Sequence, residues 1–89
     1  MAEDIVRMLD LAEPIQWGGT TVSRLEFVRP RAKHFRGLTL EAARMGDLLD
    51  VVAALCHQPP SLIGELSAAD TFAAVRIVND FLLSGQPTG

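Results

Sequence analysis

Gly18 and Gly19, followed at once by TTVSRLEFV, constrain the fold of this chain more than any other stretch. Glycine populates the positive-φ conformations that a tight reversal needs, so a pair of them ahead of β-branched and aromatic residues marks a turn that leads into a strand. Within that run Leu25 and Phe27 fall on one face and Arg24 and Glu26 on the other, the two-residue alternation of a half-buried strand. Val22 falls on the polar face, which points to a bulge or to contact with the connection. Pro30 ends the run, because proline has no amide hydrogen to give to a ladder.

The segment before the glycines supports two readings. Ile5, Met8, Leu9 and Ala12 are spaced as on an amphipathic helix, whereas Arg7, Leu9 and Leu11 alternate as on a strand, and periodicity does not separate the two. A single strand is unstable alone, and this segment is the other candidate. That favours a hairpin of about residues 5–12 against 20–29, with Pro14 and the glycine pair in the connection.

Helical spacing then takes over. Arg31 to Leu38 suits a short helix with Phe35 and Leu38 inward, stopped or bent at Gly37. From Asp47, which can cap a first turn, Leu48, Val52 and Leu55 recur at helical intervals with Leu49 and Cys56 beside them. Gln58-Pro59-Pro60 forces an exit, and Ser61 to Glu65 reads as a single turn. The best helix start is Ser67-Ala68-Ala69-Asp70, a capping hydroxyl with an acid three residues on. Phe72, Val75, Ile77, Val78, Phe81 and Leu82 follow, Gly85 suits a helix end, and the tail after it is expected to be mobile. The resulting class is α+β: an N-terminal β-hairpin at about 5–29, then a small bundle of two main helices and short helical turns at about 31–83, with 84–89 as a tail.

At 89 residues the chain is expected to form one domain, since two cores would leave each half too little surface to bury. Hydrophobic residues are 48% and charged residues 21%, the balance of a folded protein with apolar surface to spare for a partner or a second copy. A net charge of −3 opposes a large nucleic-acid footprint, which needs Lys and Arg to displace counterions. One cysteine, Cys56, allows no internal disulfide, which fits a reducing cytoplasm. No apolar run approaches the ~20 residues of a membrane span, and the acidic N-terminus is unlike a signal peptide, so the chain is read as soluble and untargeted.

Candidate chemistry is sparse. His34, His57 and Cys56 lack zinc-site spacing, and adjacent Cys56 and His57 would point about 100° apart on a helix, so neither a metal nor a nucleophile-base pair is assigned. Asp47 and Asp50 suit the positive end of a helix better than acid-base catalysis. Gly18-Gly19 lacks the sequel of a phosphate loop. Arg29, Arg31, Lys33 and Arg36 hold four of the eight Lys and Arg residues, with His34 among them. A solvated face is the default for this cluster, and an acidic protein partner is preferred over nucleic acid. Ser61-Leu62-Ile63-Gly64-Glu65-Leu66 faintly resembles a carrier-protein modification site, but Pro60 replaces the usual acidic neighbour and the Glu-Leu pair comes one residue early.

Taken in order, Pro14-Ile15 with Gly18-Gly19, Leu25-Glu26-Phe27-Val28-Arg29-Pro30, Gly46-Asp47 through Leu55, Ser61-Leu62, and Leu66-Ser67-Ala68-Ala69-Asp70 leading to Phe81-Leu82 carry a resemblance. Over roughly residues 9–83 the chain resembles the small tail assembly chaperones of tailed bacteriophages and prophages, in the Mu-like branch. No single segment is diagnostic; the resemblance lies in their order and spacing. The resemblance implies that an N-terminal strand pairs with the one ending at Arg29-Pro30. The basic run Arg31 to Arg36 departs from the family pattern, which is more often neutral or acidic there.

The resemblance also implies a function. Such proteins bind the tape-measure protein, a long and largely helical chain, and keep it soluble in the host cytoplasm until tail-tube subunits polymerise around it. They are not expected in the mature virion. The expected partners are thus the tape-measure protein, the tail-tube protein, and further copies of the chain itself, with no cofactor, no metal, no membrane and no enzymatic reaction. The candidate partner-binding residues are Leu48, Leu49, Val52, Phe72, Val75 and Ile77, with Arg29, Arg31 and Arg36. The rivals are a small nucleic-acid-binding regulator using residues 29–36 and a carrier protein modified at Ser61.

Overall fold

A computed structural model describes residues 4–36 and 44–84. Strand β1 spans Ile5–Trp17 and β2 spans Thr20–Val28, antiparallel in a two-stranded sheet. Gly18 and Gly19 have φ of 55° and 82°, so the reversal is a two-residue turn with both central residues left-handed. That geometry matches the right-handed twist of the strands, and Trp17 consequently pairs with Thr20 directly across it.

β1 is longer than residues 5–12, and Pro14 lies inside it rather than in the connection. The ladder runs from Asp10↔Arg24 to Ile15↔Val22, so Leu11 to Pro14 stand opposite Ser23 alone. This broad bulge tolerates a proline, because no partner carbonyl there waits for the amide hydrogen that proline lacks. It also brings Val22 opposite Ile15, half-buried against the core, which accounts for its position on the polar face. A second irregularity, at Val6, separates Ile5↔Val28 from Arg7↔Phe27.

After Pro30 the chain makes a 3₁₀ turn, Ala32–Phe35, with Phe35 half-buried against the core. Gly37 and Leu38, assigned above to this helix, lie outside the described residues. Helix α1 runs Met45–Cys56, starting two residues before Asp47. Asp47 is therefore not the cap; its Oδ2 accepts the amide hydrogen of Arg44 at 3.1 Å from one turn inside. α1 closes on His57, left-handed at φ 54°, with the Gln58 amide returning to the Ala53 carbonyl at 3.0 Å. Pro60–Ile63 form the one-turn helix α2, with proline at the first helical position where its missing amide costs nothing.

Helix α3, Ala68–Ser84, begins where the sequence placed it: Ser67 Oγ accepts the Asp70 amide at 3.1 Å and the Ser67 carbonyl accepts from Thr71 at 2.8 Å. Gly85 and the tail lie outside the described residues. α1 and α3 pack on each other, α1 against β2 and α3 against β1, so the hairpin forms one layer and the helices the other. The core between them holds Leu11, Ile15, Leu25, Phe27, Val52, Leu55, Leu62, Ile63, Ile77 and Val78. Phe27 and Phe81 meet edge to face with ring centres 6.3 Å apart.

Candidate partner-binding surface

The six apolar candidates divide according to which side of their helix meets the hairpin. Val52 is wholly inaccessible and Ile77 is buried among the core side chains, so both are interior. Val75 is also buried. These three are buried; α1 and α3 each pack against both the sheet and the other helix, so burial takes up more of their circumference than one stripe. Leu48 and Leu49 are half-buried and lean on the core from the first turn of α1. Phe72 alone stands clear, 60% exposed.

Phe72 has company that sequence reading missed. Along α3, Phe72, Arg76, Asn79 and Leu83 recur at intervals of four, three and four and are all exposed, which defines one solvent face. Leu83 is 72% exposed. The same 3.6-residue periodicity that assigns Val78 and Leu82 inward places Leu83 outward, so the signal was present in the sequence. Ile5, Val6 and Met8 at the open end of the hairpin, and Met45 at the start of α1, are further exposed apolar residues. Arg7 reaches Asp80 at 3.7 Å, which sets the open end of the hairpin beside the last turns of α3, where Leu83 follows one turn after Asp80.

The basic cluster is solvated but partly engaged. Arg29, Arg31, Lys33 and Arg36 are all exposed. Arg29 approaches Asp4 at 3.6 Å, and its amide extends the ladder to the Asp4 carbonyl at 2.9 Å. His34 Nδ1 accepts the Arg31 amide hydrogen at 2.9 Å, which fixes that nitrogen as the unprotonated one in this arrangement.

Cys56 is buried at the end of α1, and burial pushes its thiol up to about 12, far from the thiolate that nucleophilic attack needs. Among the described residues no group of three or more His, Cys, Asp and Glu is placed to hold a metal. Ser61 is exposed on α2, beside buried Leu62 and Ile63. No described helix is long and apolar enough to cross a membrane.

One charged residue has a position that the sequence did not reveal. Asp70, expected to close the start of α3, is 3% exposed and turns its carboxylate to β1 instead: Oδ1 accepts from Ala12 at 2.9 Å and Oδ2 from Glu13 at 3.1 Å. Those two amides belong to the bulge and have no place in the ladder, so the carboxylate supplies what the missing strand partner would have. Burial acts to raise the Asp70 carboxyl, while the amides of Ala12 and Glu13 and the Ser67 hydroxyl lower it; the hydrogen bonds prevail, and it lies below its ordinary value.

No protein-family model matches this chain, and neither a curated protein nor a solved structure matches it.

Proposed function

We propose that this protein is a binding module without enzymatic activity, a tail assembly chaperone that covers apolar faces of a helical tape-measure chain and keeps it soluble until the tail tube polymerises. The observation that carries the reading is the outer face of α3, where Phe72 and Leu83 present two large apolar side chains to solvent. They stand eleven residues apart, about 16 Å along the axis, a spacing that lets one amphipathic helix lie across both. Isolated exposed apolar residues are ordinary, but two on one helical face are a contact surface for a chain with apolar stripes of its own. Many copies along one long client would then hold it by avidity rather than by a tight single site. A nucleic-acid reading is less favoured, because Arg29 is already beside Asp4 and the whole chain is acidic. Such a chaperone acts in the cytoplasm of the bacterial host and is not retained in the finished particle.

Co-expression with the tape-measure protein tests this. The client is expected to move into the soluble fraction with the native chain and to return to the pellet with the Phe72→Glu, Leu83→Glu double variant, whose exposed positions leave the fold intact. A client equally insoluble with and without the native chain overturns the proposal.

A further inference from the structure

The two edges of the hairpin are protected unequally. An unpaired strand edge is a template for another strand, and proteins blunt such edges with prolines, bulges or charges turned against the ladder. β1 has all three kinds of protection: two bulges, Pro14, and the carboxylate of Asp70 occupying the amides of Ala12 and Glu13. β2 has neither a proline nor a bulge over its nine residues. It contains no proline and no lysine, the irregularities of the pair lie on β1, and among the described residues its backbone is joined to no element other than β1.

The charges on β2 specify what fits there. On the exposed face Arg24 stands opposite Asp10 within the hairpin, with Nε 2.8 Å from Oδ1. Glu26 stands opposite Met8, so its own hairpin offers no cation across the ladder. If a second β2 runs antiparallel against the first about a two-fold axis through Leu25, Arg24 of each copy falls opposite Glu26 of the other. Each row across the sheet then alternates in sign, Asp10, Arg24, Glu26, and each Glu26 gains a cation directly opposite it across a ladder. Opposite charges facing each other directly across a ladder are favourable, and like charges are not. A chain that is self-complementary about a single residue is the signature of an isologous contact rather than of a foreign strand.

We infer that this protein forms a two-fold dimer through the outer edge of β2, joining two hairpins into a four-stranded antiparallel sheet with Arg24 and Glu26 paired reciprocally across the seam. The α3 face bearing Phe72 and Leu83 takes no part in this contact, so the inference stands apart from the client-binding proposal.

Sedimentation equilibrium of the full chain, from about micromolar to about millimolar loading, reads the dimer directly. Glu26→Arg sets two arginines opposite each other at both pairs and is expected to weaken the dimer about tenfold or more. Mixing it with an equal amount of Arg24→Glu is expected to restore association as a heterodimer, since both facing pairs across the seam are again of opposite sign. Raising the salt concentration is expected to weaken the native dimer. Hydrogen exchange of the native chain gives a reading that needs no variant: protection of β2 amides is expected to rise with protein concentration. A monomer throughout the range overturns the inference. So does a dimer that ignores Glu26→Arg, that yields to Phe72→Glu instead, or that is not restored by the mixture, and so does β2 protection independent of concentration.

Discussion

Asp70 illustrates how one residue can hold two parts of the chain together. Its own amide is capped by Ser67 while its carboxylate accepts from residues 58 and 57 positions earlier, so it fastens the start of α3 to the bulge of β1. Hydrogen bonds to a buried carboxylate are among the stronger ones, and removing the acceptor leaves two amides without a partner. Asp70→Ala is expected to cost roughly 2–4 kcal/mol, and Asp70→Asn less, because the amide oxygen still accepts one of the two hydrogens. The effect depends on pH with a definite sign. The carboxyl is held below its unfolded value, so its contribution is complete above the unfolded value near pH ~4 and is lost as pH falls through the lower folded value. Urea titrations between neutral pH and about pH 2 are expected to show this acid limb in the native chain and a flatter one in Asp70→Asn. The sequence signalled the helix start at Ser67 but not the carboxylate's destination, because the latter depends on a bulge in a strand far away along the chain.

At the scale of the element, the hairpin turn was legible and its strand lengths were not. Gly18 and Gly19 carry backbone angles that side chains with a Cβ rarely adopt, a local steric fact that any reader of the sequence can use. No atom lies within 4 Å of where a Cβ would sit at either residue, so the cost of substitution is conformational alone. Gly19→Ala is therefore expected to destabilise by about 1–2 kcal/mol, whereas Gly18→Asn, which tolerates the left-handed region, is expected to stay within about 0.5 kcal/mol of the native chain. Denaturant midpoints of the two variants, compared at equal slope, check this. Pro14 misleads for the opposite reason. A proline breaks an ordinary ladder, so it argues for a connection, yet here a four-residue bulge removes the need for its amide.

For the whole molecule, the hairpin and the helical pair share one core, and two of its buried residues report on the assembled fold. Phe27 is inaccessible and meets Phe81 from α3, so Phe27→Ala is expected to cost about 3–5 kcal/mol in chemical denaturation. Cys56 provides an independent probe of the same packing. Its thiol, pushed up to about 12 by burial, is expected to react with an alkylating reagent at pH ~8 at least a hundredfold more slowly in the folded chain than in urea. A native rate equal to the unfolded one would mean that the end of α1 is not packed into the core.

Local chemistry in the sequence determined the α+β class, the turn at Gly18-Gly19, the strand ending before Arg29-Pro30, the one-turn helix after Pro59 and the start of α3 at Ser67. Each follows from the torsional preferences or hydrogen-bonding capacity of a few neighbouring residues. Tertiary structure decided that Val52, Val75 and Ile77 are interior while Phe72 and Leu83 face water, that Pro14 sits within β1, and that Asp70 binds the bulge. Burial is set by which surfaces meet, and a carboxylate finds its donors only after residues 12 and 70 have been brought together by a core that neither of them builds.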